Sequence, residues 1–204
     1  QRIVAVGSKA EVTIPPGTKI IDASGRTVIP GMIEMHAHLI TLGHGNYQRW
    51  FQWLDQHKAK YPIEKIMEIS SRQLLASGVT TVVDLGAPLQ PSLQIRDRIN
   101  KGEIMGPRLM VSGPWIIPRA SIFPDDSSRV VGNSTEAAAR ETQANVDAGV
   151  DIIKAHGDLT AEQYKAIADV AHKGKILVTA HINDEAAIYN ALKAKIDILQ
   201  HVGS

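Results

Sequence analysis

The amino-acid sequence predicts an α/β protein whose strands pair in parallel. Strand-like apolar runs alternate with helical segments from residue 29 onward. The runs at 79–83, 151–153 and 176–178 are nearly continuous in apolar residues, as strands covered on both faces are. Most connections between runs are short and helical, which requires parallel pairing with right-handed crossovers. A doubly wound open sheet and a (β/α)8 barrel both satisfy this pattern. No Gly-x-Gly-x-x-Gly follows any run, so nothing favours a dinucleotide-binding sheet.

Taken in order, residues 1–29 read as short strands with turns. Ile3-Val4-Ala5-Val6 and Lys19-Ile20-Ile21 are the apolar pieces, punctuated by Pro15-Pro16-Gly17 and Ser24-Gly25. This is β material too small to stand alone. The first strand of the main pattern is 32–39. An irregular stretch follows, then a helix at about 63–77 that starts near Pro62 and stops at Gly78. The second strand, 79–85, is rich in β-branched residues. A helix at about 92–101 leads to the third strand, 108–112, and a Pro-containing loop runs from 113 to 132. Asn133-x-x-Glu136 opens the next helix as a capping box and Gly149 closes it. The fourth strand is 150–155. Thr160-x-x-Gln163 opens a helix that ends near Gly174. The fifth strand is 176–181, residues 184–194 are helical, and the sixth strand is 196–201.

Composition narrows the function. The 204 residues are 44% apolar and 21% charged, an ordinary globular balance with a net charge of +1. No basic stripe suggests nucleic acid. No apolar run approaches the ~20 residues that span a bilayer, and residues 1–20 lack a signal-peptide core. A cytoplasmic location is the expectation. The absence of cysteine removes disulfides and thiolate ligands. Both ends are strand-like and neither has a polar tail, so the chain is expected to be a piece of a longer protein.

The chemistry lies at the strand ends. The first strand closes in His36-Ala37-His38, and side chains two apart on a strand share a face. The fourth ends in Lys154, the fifth in His181 and the sixth in His201. In a barrel these ends converge on one mouth, where active sites sit. Neutral imidazole suits zinc and similar borderline metals. One such histidine is an ordinary polar residue; four imidazoles and a lysine from four strands predict a metal site.

These residues carry a resemblance. Val28-Ile29-Pro30-Gly31-Met32-Ile33-Glu34-Met35-His36-Ala37-His38-Leu39 resembles the first barrel strand of the amidohydrolase superfamily. Ile20-Ile21-Asp22-Ala23-Ser24-Gly25-Arg26 resembles the segment leaving that family's small β-sandwich. Gly78-Val79-Thr80-Thr81-Val82-Val83-Asp84-Leu85-Gly86 and Gly106-Pro107-Arg108 resemble its second and third strand regions. The whole chain is covered, most similar to the prolidase-like and imidazolonepropionase-like branch. The resemblance implies part of a small β-sandwich domain at 1–29. It implies an incomplete (β/α)8 TIM-type barrel, strands one to six, at 30–204. It further implies that His36 and His38 bind one divalent metal ion and His181 and His201 a second, with zinc expected. Lys154, carboxylated on its amine, would bridge the two. A hydroxide between the metals would attack an amide or related C–N bond of a dipeptide or cyclic amide. Lys154 and His201 are thus the expected catalytic residues. The family's metal-binding aspartate at the end of strand eight has no counterpart here, so hydrolysis is expected of a longer protein or of a homo-oligomer that completes the barrel.

Other residues are read more plainly. His44, in the loop after the first strand, is a candidate substrate contact. Trp50, Phe51 and Trp53 are expected to pack that loop. Asp84 is read as a turn or salt-bridge residue, His156 as a neighbour of the metals or the start of a turn, and His57, His172 and Arg119 as surface residues. Two further readings stand beside the hydrolase. One is a deaminase of the same superfamily, against which the bridging lysine argues. The other is a non-catalytic relative used for binding or assembly.

Overall fold

The computed structural model describes residues 2–41, 45–119 and 127–202. The chain divides into two units, residues 1–30 and 31–204.

The first unit contains turns but no strand among its described residues. Ser8 to Val12, Pro15 to Thr18 and Ala23 to Arg26 are closed by backbone hydrogen bonds. The strands expected at 3–6 and 19–21 do not form ladders. Ile3, Val4 and Val6 are 86%, 96% and 88% exposed. The physical reason is that two short runs without a third partner cannot hold a sheet together in water.

The second unit is the predicted alternation of strands and helices, and every strand pair is parallel. Its elements are β1 (Met32–Ala37), α1 (Tyr47–His57), α2 (Ile63–Ala76), β2 (Val79–Asp84), α3 (Leu89–Asn100), β3 (Arg108–Val111), β4 (Trp115–Ile117), β5 (Arg129–Val131), α4 (Thr135–Ala148), β6 (Ile152–His156), α5 (Ala161–Lys173), β7 (Leu177–His181), α6 (Glu185–Lys193) and β8 (Ile198–Gln200). They form a sheet β1-β2-β3 and a sheet β5-β4-β6-β7-β8. One backbone bond and one side-chain bond join the sheets: Asp151 N–H donates to Val111 O at 2.9 Å, and Val111 N–H donates to the Asp151 carboxylate Oδ2 at 2.9 Å.

The six predicted strands are present as β1, β2, β3, β6, β7 and β8. Two elements of the loop at 113–132, β4 and β5, were not expected, nor was α1 in the stretch after the first strand. Helix ends follow the expected chemistry with one change. Thr160 and Gln163 form a reciprocal capping box on α5, and Gly149 ends α4 at φ 86°. The cap of α4 is Ser134 rather than Asn133; its hydroxyl accepts from Ala137 N–H. Among the described residues no helix is long and apolar enough to cross a membrane.

Strand alternation sorts the sheet into two faces. Val82, Ile116, Ile153, Val178 and Ala180 pack in the large core cluster. Val83, Leu85 and Ile152, with Met110 and Ile198 against them, form a second cluster on the opposite side chains of the same strands. Lys154 follows Ile152 by two and Gln200 follows Ile198 by two, so both stand on the face of the second cluster.

Candidate active site at the strand ends

The register places the site residues side by side. Lys154 pairs with Thr179, His156 with His181, and His181 with Gln200. Ala37 pairs with Asp84 on the other face, which leaves His36 and His38 on the inner one. The first and last strands meet across the sheet: His36 Nδ1 lies 3.0 Å from Gln200 Oε1. Gln200 is oriented by its own amide, which donates to Thr179 Oγ1 at 3.1 Å. An amide oxygen only accepts, so His36 donates from Nδ1 and keeps the lone pair of Nε2 free for a ligand.

Six aromatic rings close into a circuit. Centroid separations are 5.1 Å from His36 to His38, 5.3 Å from His38 to Trp115, and 4.5 Å from Trp115 to His156. They continue at 4.2 Å from His156 to His181, 4.5 Å from His181 to His201, and 4.7 Å from His201 back to His36. His156 and Trp115 are stacked at 9°. The indole N–H donates to Leu85 O, and the Arg129 guanidinium lies 4.5 Å from the ring centre. Gly86, at φ 147°, leaves room for this indole; a Cβ there would sit on Trp115.

Burial sets the protonation of the group. It pushes His38 and His156 down to about 3 and His181 down to about 4, with neighbouring positive charge adding to the effect. His36 is lowered too, again mainly by burial and then by Lys154. These rings are therefore neutral at pH 7 and present lone pairs. Lys154 is fully buried, and burial brings its amine down to about 8. Lys154 Nζ and His38 Nδ1 have no hydrogen-bond partner among the described residues. Buried polar atoms of this kind normally find one. The neutral imidazoles fit a site for cations, and the Lys154 amine joins them only in its uncharged form.

The gathering is one of rings rather than a finished ligand set. Among the described residues no group of three or more His, Asp or Glu side chains is disposed to hold a metal ion. His201 also departs from expectation. It lies one residue beyond β8 in left-handed backbone, φ 63°, and is exposed, yet its ring still meets His36 and His181. His44 lies outside the described residues.

Two residues of the site were not found from sequence, and a third, His156, was read only as a neighbour of the metals or the start of a turn. Trp115 and Gln200 carried no signal beyond their residue type. Asp84 is corrected. It is fully buried and makes no ion pair among the described residues; its Oδ1 accepts from Leu39 N–H at 3.1 Å. Elsewhere the plainer readings hold for Trp50, which donates to Ile40 O at 2.8 Å, and for Trp53, which stacks on His57. Arg119 is exposed and faces Asp158 at 3.4 Å. His172 reaches Asp197 at 2.9 Å.

The chain resembles known proteins over most of its length. It is 31% identical over 126 residues to a 5-methylthioadenosine/S-adenosylhomocysteine deaminase of Symbiobacterium thermophilum, a match covering 55% of this chain and 28% of the enzyme. It is 52% identical over 46 residues to an imidazolonepropionase of the same organism, covering 21% of this chain and 11% of the enzyme. The structure of a candidate prolidase from Bifidobacterium longum superposes with a TM-score of 0.76 at 26% identity, covering 93% of this chain and 44% of that one. The chain thus spans less than half the length of each. Residues 27–203 match the model of the amidohydrolase family, the span that carries all the converging imidazoles and Lys154. The chain belongs to the amidohydrolase family.

Proposed function

We propose that the full-length protein is a metal-dependent hydrolase that cleaves an amide or related C–N bond in a small molecule, such as a dipeptide or cyclic amide. One observation carries this reading: a fully buried lysine amine with no hydrogen-bond partner among the described residues stands among converging imidazoles at the ends of parallel strands. His36 and His38 would hold one divalent ion, His181 and His201 a second, and carboxylated Lys154 both. Zinc suits such a donor set. When bound, the ions supply Lewis acidity that acidifies water and polarises the scissile carbonyl.

The chain's own residues do the rest. Burial keeps the His36, His38 and His181 imidazoles unprotonated. It also lowers the lysine enough for its neutral amine to add to carbon dioxide: the N–C bond forms and the departing proton goes to solvent. Gln200 holds His36 in the tautomer that leaves Nε2 bare. Trp115 and His156 stack on each other beside His38 and His181. His44 is proposed as a substrate contact. Residues 1–29 are proposed as part of a small β domain, and 30–204 as the first six strands of a (β/α)8 barrel completed by further chain or by a homo-oligomer. A cytoplasmic location is proposed as well.

The 126-residue likeness to a deaminase favours a second reading within the same family. That reading predicts ammonia release from 5-methylthioadenosine with no need of Lys154. The test is to assay the full-length protein with zinc against dipeptides, cyclic amides and 5-methylthioadenosine, beside Lys154→Ala. The hydrolase reading predicts that Lys154→Ala loses on the order of a hundredfold or more in kcat/KM, partly restored by small carboxylates. Full turnover by Lys154→Ala would sink it.

A further inference from the structure

Asp84 lies on the face of β2 opposite the site. Strand alternation sets it with Val82, away from Val83 and Leu85. It is nonetheless fully buried, and its Oδ2 has no partner among the described residues. Its other oxygen is engaged where β1 leaves the sheet. The last ladder contact of β1 is Leu85 N–H to Ala37 O at 2.9 Å. Two residues on, the Leu39 amide has no strand to donate to, and Asp84 Oδ1 accepts it at 3.1 Å. The carbonyl of the same residue accepts from Ser70 Oγ of α2 at 2.7 Å. Leu39 is 1% exposed. The preceding carbonyl, His38 O, is taken by Thr41 N–H at 3.0 Å and Thr41 Oγ1 at 2.8 Å.

We propose that Asp84 and Ser70 are positioning residues that clamp Leu39 from outside the pocket and thereby fix where His38 presents its ring. This inference rests on the proposed metal-dependent function. The physical need is clear. His38 sits at the point where the chain abandons regular pairing, so the ladder no longer fixes its backbone. Two buried side chains, one from the sheet and one from a helix, take over both hydrogen-bonding groups of the next residue. Partners that orient a metal-binding residue typically matter 10–100-fold in affinity. The contribution of Asp84 is an acceptor oxygen, so asparagine, which keeps one at the same place, should serve nearly as well.

The test uses the full-length protein in four forms: wild type, Asp84→Ala, Asp84→Asn and Ser70→Ala. Two quantities are read, hydrogen exchange of peptides spanning residues 37–41 and affinity for zinc alone. The clamp predicts slow exchange at Leu39 in wild type, at least about tenfold faster exchange in Asp84→Ala, and zinc affinity lowered about 10–100-fold. Asp84→Asn should stay near wild type in both. Ser70→Ala should move both in the same direction by less, and it serves if Asp84→Ala does not fold. Equal damage by Asn and Ala would overturn the clamp, because charge rather than an acceptor would then be needed. Faster exchange with unchanged zinc affinity would overturn its link to His38. A wild type that binds no zinc would count against the proposed function, and exchange at Leu39 would then decide the clamp by itself.

Discussion

A fully buried lysine with no hydrogen-bond partner among the described residues is either functional or destabilising, and Lys154 offers a way to see which. Its amine titrates at about 8 in the folded chain against an ordinary 10.5. Below about pH 8 it is charged in both states, and burial of that charge opposes folding in full. The opposition fades as pH rises from 8 to 10.5, where only the unfolded chain keeps the proton. Lys154→Met in the metal-free protein is therefore expected to be more stable than wild type at pH 7, by up to about 3 kcal/mol. The advantage should shrink above pH 8. Denaturant unfolding at pH 7 and pH 10 checks this, and parallel curves would contradict it. The residues that gather at the candidate site were largely legible. A strand period of two put His36 with His38, and strand ends flagged Lys154 and His181. Asp84 was not legible, because its contact with Leu39 at the β1 exit spans 45 residues, which no local pattern shows. Gln200 was hidden for a similar reason: its value lies in meeting His36, far away in sequence.

Elements were readable where local signals were strong. Thr160 and Gln163 announce α5, and the structure completes their reciprocal bonds. Thr160→Ala should cost about 1 kcal/mol, readable as a lower unfolding midpoint. The missed elements lacked such signals. Strand β4 has three residues with Pro114 before it and Pro118 after it, and it joins β6 through the single pair Ile116 and Ala155. Helix α1 is crowded with aromatic residues and has one buried position, Leu54. Its N-cap is Asn46, whose side chain accepts from Arg49 N–H. Yet β4 delivers Trp115 to the site, and Gly86 makes its seat. Gly86→Ala should displace the indole and destabilise the protein by about 1–3 kcal/mol. Tryptophan fluorescence of the folded protein should shift with it; an unchanged spectrum would remove Gly86 from this role. The strands expected at 3–6 and 19–21 failed for the opposite reason: the local pattern was present and a partner was not.

At the scale of the molecule, parallel alternation was enough to predict the α/β class, and the second unit has it throughout. What alternation could not distinguish was an open sheet from a curved one. The contact of His36 with Gln200 shows the first and last strands meeting at the site end. The two hydrogen bonds between Val111 and Asp151 carry the sheet across its one break. Convergence of the imidazoles follows from that curvature, not from any single strand. It is also why a metal centre is the reading to test at this scale. The most direct measurement is the divalent metal content of the full-length protein, purified without added metal, beside Lys154→Ala. A two-metal site predicts about two zinc-like ions per wild-type chain and fewer in the variant. A wild-type chain that is folded, binds no divalent ion even when zinc is supplied, and still hydrolyses its substrate would contradict it.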